Sequence, residues 1–170
     1  FGIPLLPIHL LWINLITDTL PAFALGFEKV NDGVMYNKPR EKNESFFANG
    51  LGKKIFIQGI LIGLITLSSY TIGIITTDNN VIARTMAFVT LSLIQLFHAF
   101  NLKSEASVFS KQAFDNKYLI GAFIIGAIMQ LGIVYISPIA SIFKVEALNL
   151  LQFTICTGFA FLIVIIVEIV

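Results

Sequence analysis

Residues 14–21 read NLITDTLP and lie inside the otherwise apolar stretch IHLLWINLITDTLPAFALGF, residues 8–27. A helix that spans a bilayer needs about 20 mostly apolar residues, and residues 8–27 have that length. An amide, two hydroxyls, a carboxylate and a proline interrupt them near mid-depth. A carboxylate at that depth costs at least about 2.5 kcal/mol on insertion scales. The stretch therefore predicts a membrane helix that carries a functional polar site.

The composition of the whole chain also indicates a membrane protein. Of its 170 residues 56% are hydrophobic and only 12% are charged, whereas a soluble domain has about 25% charged residues. A soluble globular domain is therefore excluded. Five segments are long and apolar enough to span a bilayer, namely about 8–27, 55–76, 83–100, 118–137 and 150–170. We expect one all-α integral membrane domain over residues 1–170, a bundle of five transmembrane helices with the first broken near Pro21.

The basic residues of the connecting loops predict the orientation. Nine of the 11 Lys and Arg residues lie in loops 28–54 and 102–117, and the other two, Arg84 and Lys144, lie at or near the opposite connections. The positive-inside rule places the nine in the cytoplasm. We therefore expect an extracytoplasmic N-terminus and a cytoplasmic C-terminus. Composition alone favours a solvated connector for loop 28–54, and a docking surface for another domain is the alternative.

The polar residues of the first segment have the chemistry of an ion site. Asn14, Thr17 and Asp18 are spaced i, i+3 and i+4, so an α-helix would place them on one face. Their side chains offer hard oxygen donors, which calcium and similar cations require. Pro21 has no N–H, so the carbonyl of Thr17 loses its helical partner and the backbone tends to open beside this cluster. A proline, asparagine or threonine alone would more simply serve helix packing or interhelical hydrogen bonding, but the carboxylate favours an ion site.

Other polar residues and glycines of the predicted helices have a structural interpretation. Interhelical hydrogen bonds are the expectation for Gln58, Gln95, His98, Gln130 and Gln152. Close helix packing is the expectation for Gly59, Gly63, Gly121 and Gly126. The single cysteine, Cys156, is expected to be a small packed hydrophobe.

Four stretches resemble one known family. LLWINLITDTLPAFALGFE, residues 10–28, is similar to the sixth membrane helix of P-type calcium-transporting ATPases, which include the sarco/endoplasmic reticulum and plasma-membrane calcium pumps. MYNKPREKNESFF, residues 35–47, resembles the cytoplasmic loop after that helix. ARTMAF, residues 83–88, resembles the start of the eighth helix, and SPIASIFKVEAL, residues 137–148, the turn before the tenth. The resemblance covers essentially the whole chain, in register with helices six to ten.

The resemblance implies a function and a set of ligands. It implies that Asn14, Thr17 and Asp18 bind transported calcium and that Gln95 stands where the reticulum pump has a glutamate. IQLF, residues 94–97, resembles the plasma-membrane pumps, which have glutamine there and carry one calcium per cycle. We therefore hypothesise that the site nearest Gln95 is weak or absent and that the parent protein moves one ion.

The resemblance also implies what must lie elsewhere in a longer parent protein. The chain lacks an aspartyl-phosphate motif, DKTG, and nucleotide-binding and actuator domains, so ATP and magnesium belong to the parent protein. We expect its partners to be the lipid bilayer, helices one to five and the cytoplasmic domains of the same pump, and no nucleic acid. The isolated chain is predicted to be inactive. The predicted location is the cell membrane, and the many Ile, Lys and Asn residues favour a bacterial source.

Two alternatives remain open at this point. One is a structural membrane anchor, which suits helices seven to ten better than the helix with the polar site. The other is the same module in a pump for manganese or sodium. Sodium–potassium pumps usually carry aspartate where Asn14 stands, and manganese accepts the same hard oxygens.

Overall fold

The computed structural model describes residues 2–28, 36, 50–103 and 115–169, and these ranges contain helices but no strand. The first spanning segment consists of α1 (Pro7–Trp12), a π-helical turn (Ile13–Asp18) and α2 (Thr19–Leu25). The other helices are α3 (Leu51–Thr77), α4 (Asn80–Leu102), α5 (Lys117–Tyr135), a short α6 (Ser137–Phe143) and α7 (Leu150–Ile169). Five spans are long and apolar enough to cross a membrane. The predicted all-α membrane fold is confirmed, and the chain is a multi-pass membrane protein.

Polar side chains and left-handed residues set the ends of the helices. The side chain of Asn79 accepts from the N–H groups of Val81 (2.8 Å) and Ile82 (3.4 Å) and so caps α4. The Asn116 side chain caps α5 by accepting from the N–H of Leu119 at 3.0 Å. Such caps satisfy N–H groups that have no partner within the helix. Asp78, with φ of 50°, ends α3. The turn between α3 and α4 is therefore only two residues long.

Helix α4 is the centre of the bundle. In its most apolar 18-residue stretch 67% of the residues are buried, against 22–33% in the other four spans. It packs against α3, α5, α7 and the π turn. The largest buried cluster, which includes Met86, Leu93, Cys156 and Ile163, joins α4 to α7. Cys156 is fully buried there, as expected for a small packed hydrophobe.

Close helix contacts occur at two glycines, and only one of them was predicted. A Cβ atom added to Gly126 would lie 2.8 Å from Leu96 Cδ2, so Gly126 does bring α5 close to α4. Among the described residues, no atom of a neighbouring element lies within 4 Å of the corresponding position at Gly59, Gly63 or Gly121, so the predicted close packing is not found there for these three. Gly73 instead makes the closest approach, because an added Cβ would lie 2.6 Å from Ala83 Cα.

The connections differ from the expected ones where the structure describes them. The turn before the last span contains α6, which was not predicted and which packs against α5. Loops 28–54 and 102–117 lie mostly outside the described residues, which include only their ends and residue 36. The predicted role of loop 28–54 therefore lies outside the part of the chain that the structure describes.

Candidate cation site

The first span departs from α-helical geometry where its sequence turns polar. The residues of INLITD, Ile13–Asp18, form a π-helical turn between α1 and α2. Pro21 has no N–H and cannot donate to the carbonyl of Thr17. The π turn includes Thr17 and ends at Asp18, shortly before Pro21. The helix therefore does not separate into two pieces but continues through a local distortion. Such π turns are rare and frequently mark functional sites.

Two hydroxyls support this turn by bonding to its own backbone. Thr17 Oγ1 donates to the carbonyl of Ile13 at 2.9 Å. Thr19 Oγ1 donates to the carbonyl of Asn14, five residues earlier, at 2.8 Å. Each hydroxyl oxygen keeps lone pairs with which it can accept a proton or bind a cation. The turn thus combines a stabilised backbone with available oxygen donors.

The three predicted ligands of this turn differ in their exposure. Thr17 is fully buried, Asp18 is half-buried and Asn14 is exposed. Positions i, i+3 and i+4 span a similar angle in a π turn and in an α turn, so the difference in burial depends on which side of the span packs against other helices. Thr17 faces the packed side of the turn, where α4 lies. Asn14 faces a side that the described residues leave uncovered.

Helix α4 runs beside the π turn and carries Gln95. Ile13 and Phe88 share one buried cluster, and Ala24 and Ala99 share another. Each cluster joins the first span to α4, and the members of the second cluster lie 11 residues further along in both helices. The two helices therefore run side by side in the same direction. Gln95 is half-buried, and this register places it near the height of Leu20, one helical turn beyond Thr17.

The available donors suit a hard cation but do not complete its shell. Within the described ranges, no three His, Cys, Asp or Glu side chains come together as a metal cluster. Asp18 is the carboxylate of the candidate site, and Asn14, Thr17 and Gln95 add neutral oxygens. Calcium takes six to eight oxygen ligands. A tight site would need further donors from outside this set.

The N-terminal end of the first span is held by His9. His9 Nδ1 accepts from the backbone N–H of Leu6 at 3.3 Å, so the proton resides on Nε2. Nε2 then donates to the carbonyl of Phe143, the last residue of α6, at 2.7 Å. The ring also stacks on Phe88 with centroids 4.5 Å apart. His9 therefore connects the first span to α4 and α6.

Trp12 makes a second polar connection, directly before the π turn. Its Nε1–H donates to Gln130 Oε1 of α5 at 2.9 Å. This interhelical bond confirms the prediction for Gln130. The prediction is wrong for Gln152, which bonds to Asn149 at the start of α7, where each side chain accepts from the other's backbone N–H at 2.9 Å. That arrangement is a helix cap, and a glutamine three residues after an asparagine is its sequence signal.

Asn116 holds the C-terminal end of the first span. Its Nδ2 donates to the carbonyl of Ala24 at 3.1 Å and to Glu28 Oε2 at 2.7 Å. Lys103 Nζ lies 3.6 Å from Glu28 Oε1. Since the same asparagine caps α5 through its oxygen, one side chain connects two helix ends. The first span is thus held at both ends, with the π turn between them.

Four buried side-chain atoms have no hydrogen-bond partner among the described residues. They are Ser92 Oγ, His98 Nδ1, Asn101 Oδ1 and Gln130 Nε2. The interhelical bond predicted for His98 is therefore not found among these residues. Three of the four atoms belong to α4, the helix that packs against the π turn.

Five apolar helices and an irregular polar turn within the first of them define a multi-pass membrane protein with a candidate intramembrane cation site. The family described as "Cation transporting ATPase, C-terminus" matches residues 2–170. The chain belongs to this family.

Curated relatives include several calcium-transporting ATPases. The chain is 46% identical over 164 residues to "Calcium-transporting ATPase 1" of Bacillus cereus, covering 86% of this chain and 18% of that protein. It is 44% identical over 148 residues to "Calcium-transporting ATPase" of Bacillus subtilis, covering 86% and 17%. For "Calcium-transporting ATPase 3, endoplasmic reticulum-type" of Arabidopsis thaliana the identity is 28% over 198 residues, covering 98% and 20%. The chain thus spans about a fifth of the length of these relatives or slightly less.

Proposed function

We propose that this chain supplies part of the intramembrane calcium site of an ATP-driven pump that exports calcium from the cytoplasm. The observation that carries the proposal is the half-buried carboxylate of Asp18 in a π turn near the middle of a membrane span. An ionisable residue within a membrane helix is costly and marks an ion path by default. The names of the relatives, calcium-transporting ATPases, support calcium as the ion.

The proposed ligands contribute different kinds of oxygen to the site. Asp18 supplies the charge, while Asn14, Thr17 and Gln95 supply neutral oxygens. The carbonyl of Thr17, which Pro21 cannot serve, is a further oxygen of the same kind. Asn14 faces a side that the described residues leave open, and we propose that helices one to five of the pump cover this side and complete the shell. With glutamine at position 95, the parent protein would transport one calcium ion per cycle.

The chain would act as one membrane domain over residues 1–170. Its N-terminus would be extracytoplasmic and its C-terminus cytoplasmic, because loops 28–54 and 102–117 hold nine of the 11 basic residues. ATP with magnesium would phosphorylate an aspartate in the cytoplasmic part of the pump, and the resulting helix movements would open the site alternately to each side. Loop 28–54 lies at the proposed cytoplasmic end of the first span and would help to couple the two parts. The isolated chain would not hydrolyse ATP, and the pump would reside in the cell membrane.

The test is an Asp18→Asn substitution in the full-length protein. We expect it to abolish calcium-dependent phosphorylation from ATP, because it removes the one carboxylate proposed here for the site while keeping its size. Asp78→Asn is the matched control, since Asp78 lies in the turn between α3 and α4 and asparagine tolerates its left-handed conformation. Calcium-dependent phosphorylation that persists unchanged in the Asp18 variant would refute the ion-site proposal.

The same assay separates the remaining candidates. If manganese or sodium drives phosphorylation of the wild type at a lower concentration than calcium does, the proposed site stands and the proposed ion is wrong. Counting of transported calcium per ATP tests the stoichiometry, and two ions per ATP in the wild type contradict the one-ion proposal. The anchor function is favoured for α3, α4 and α7, whose interface is the largest buried cluster. Both roles are compatible within one chain.

A further inference from the structure

One buried hydroxyl of the bundle behaves differently from the others. Most Ser and Thr side chains in the described helices donate to the carbonyl four residues earlier, as Thr66 does to Ile62 and Thr85 to Val81 at 2.8 Å each. Ser69 and Thr90 instead bond to each other at 2.7 Å. Ser92 is fully buried, and its Oγ has no hydrogen-bond partner among the described residues. Burial of a hydroxyl without a partner is unfavourable, so a ligand that binds this oxygen would stabilise the site.

Ser92 faces the seam at which the first span, α4 and α5 meet. Phe88, Ser92, Gln95 and Ala99 are spaced i, i+4, i+7 and i+11 and therefore share one side of α4. Phe88 belongs to the buried cluster of Ile13, and Ala99 to that of Ala24. Four residues separate Ser92 from Phe88 and also Thr17 from Ile13. Ser92 thus lies level with Thr17, one turn above Gln95.

Contacts with α5 place Gln130 on the other side of the same seam. Phe88 and Ile133 share a cluster, and Leu96 lies against Gly126, so the two helices are antiparallel here. Ser92 is halfway between Phe88 and Leu96 along α4, and Gln130 is about halfway between Ile133 and Gly126 along α5. The two residues therefore lie near the same height. The amide of Gln130 is oriented by Trp12, and its Nε2 is buried without a partner in the described part of the chain. Two unsatisfied polar groups therefore converge beside the π turn.

We propose that the Ser92 hydroxyl is a further oxygen donor to the transported cation, acting from α4 beside Gln95 and opposite Thr17. This inference rests on the proposed function of the same site. A serine oxygen is neutral and hard, so it adds coordination without adding charge. Gln130 lies on the other side of the same seam and makes no hydrogen bond to Ser92 in this structure, so the Ser92 oxygen keeps its lone pairs for the ion.

The experiment measures equilibrium binding of radioactive calcium to the full-length protein without ATP, together with competition by cadmium. Ser92→Ala should weaken calcium binding about tenfold, the factor that corresponds to about 1.4 kcal/mol. Ser92→Cys replaces a hard donor by a soft one and should raise the affinity for cadmium relative to calcium. A purely structural serine would not change the preference between the two metals. Ser68→Ala and Ser68→Cys are the controls, because Ser68 is exposed and bonds to the carbonyl of Leu64 at 2.8 Å.

Each outcome has a defined meaning. A tenfold loss with Ser92→Ala and a cadmium preference with Ser92→Cys, both absent in the Ser68 variants, support the inference. Calcium affinity within about twofold of wild type in Ser92→Ala, while Asp18→Asn abolishes binding, overturns it and leaves the proposed function intact. Calcium binding retained in Asp18→Asn overturns the proposed function and this inference with it. If Ser92→Ala does not fold, two other variants test the inference. Ser92→Thr keeps the oxygen and must retain calcium binding, and Ser92→Cys must show the cadmium preference. Failure of either result overturns the inference.

Discussion

The contact between α3 and α4 at Gly73 allows a quantitative test of the packing. In Gly73→Ala, the new Cβ would lie 2.6 Å from Ala83 Cα, 2.9 Å from Ala83 Cβ and 3.1 Å from Met86 Sδ. Carbon atoms in ordinary contact are about 3.5–4.0 Å apart, so the two helices must separate by about 1 Å. The nearest atom, Ala83 Cα, belongs to the backbone and cannot move aside by rotation of a side chain. Overpacking of this kind costs about 1–3 kcal/mol.

Gly63→Ala is the matched control because Gly63 lies in the same helix, and no atom of another described element lies within 4 Å of the added Cβ. Both substitutions improve helix propensity by up to about 1 kcal/mol, so this contribution cancels between them. The difference between the two variants is then the steric cost alone. We expect Gly63→Ala to be neutral or stabilising and Gly73→Ala to be less stable than Gly63→Ala by about 1–3 kcal/mol.

The buried thiol of Cys156 reports on the opening of this interface. Its Sγ lies 3.8 Å from Ser69 Oγ of α3 and 3.6 Å from the carbonyl oxygen of Met86 of α4. A maleimide can therefore react with it only when the helices part. When opening and closing are fast, the labelling rate follows the population of the open state. Labelling of Cys156, quantified on its peptide by mass spectrometry, should be about 5- to 150-fold faster in Gly73→Ala than in Gly63→Ala, as 1–3 kcal/mol requires. Equal rates would show that the α3–α4 approach is not as close as described.

Two further predictions concern the ends of the first span. Asn116→Ala removes the cap of α5 and the bonds to Ala24 and Glu28. We expect a loss of about 1–2 kcal/mol, measured as faster proteolysis of the full-length protein in micelles. A loss as small as that of Asn149→Ala, which removes the side-chain cap bond to the N–H of Gln152, would contradict the double role. Trp12→Phe should cost about 1–3 kcal/mol, because it leaves the amide oxygen of Gln130 buried and unpaired. Gln130→Leu removes that oxygen and should restore stability in the double variant. Additive losses in a double-mutant cycle would show that the two side chains do not interact.

The positions of the helices could be predicted from the sequence because each span must be apolar over its whole length. The polar turn could be predicted for the opposite reason, since Asp18 is too costly in a bilayer to be there without a role. Its form could not be predicted. Helical spacing placed Asn14, Thr17 and Asp18 on one face, but packing against α4 buries Thr17 and leaves Asn14 exposed, and no pattern within the span indicates which side packs.

The faces along which the helices meet could not be predicted from the sequence. α3 is apolar nearly all round, so nothing in its pattern distinguishes Gly73, which lies against Ala83, from Gly59 or Gly63, which approach no other described element within 4 Å. His9 and Asn116 lie near helix ends, where polar residues are ordinarily solvated. Their partners are 134 and 92 residues away in sequence, at Phe143 and Ala24. No local signal indicates contacts at that separation.

The way in which the first span is held restricts how its candidate cation site can change. His9 connects the N-terminal end to α4 and α6, and Asn116 connects the C-terminal end to α5. With both ends fixed to the bundle, a shift of the whole span along its axis would break both connections at once. The π turn lies between them, and its wider backbone bonds are supplemented by the hydroxyls of Thr17 and Thr19 rather than by a neighbouring helix. Movement of Asp18 relative to α4 is therefore least costly as a local change of this turn between π and α geometry, with the ends of the span in place.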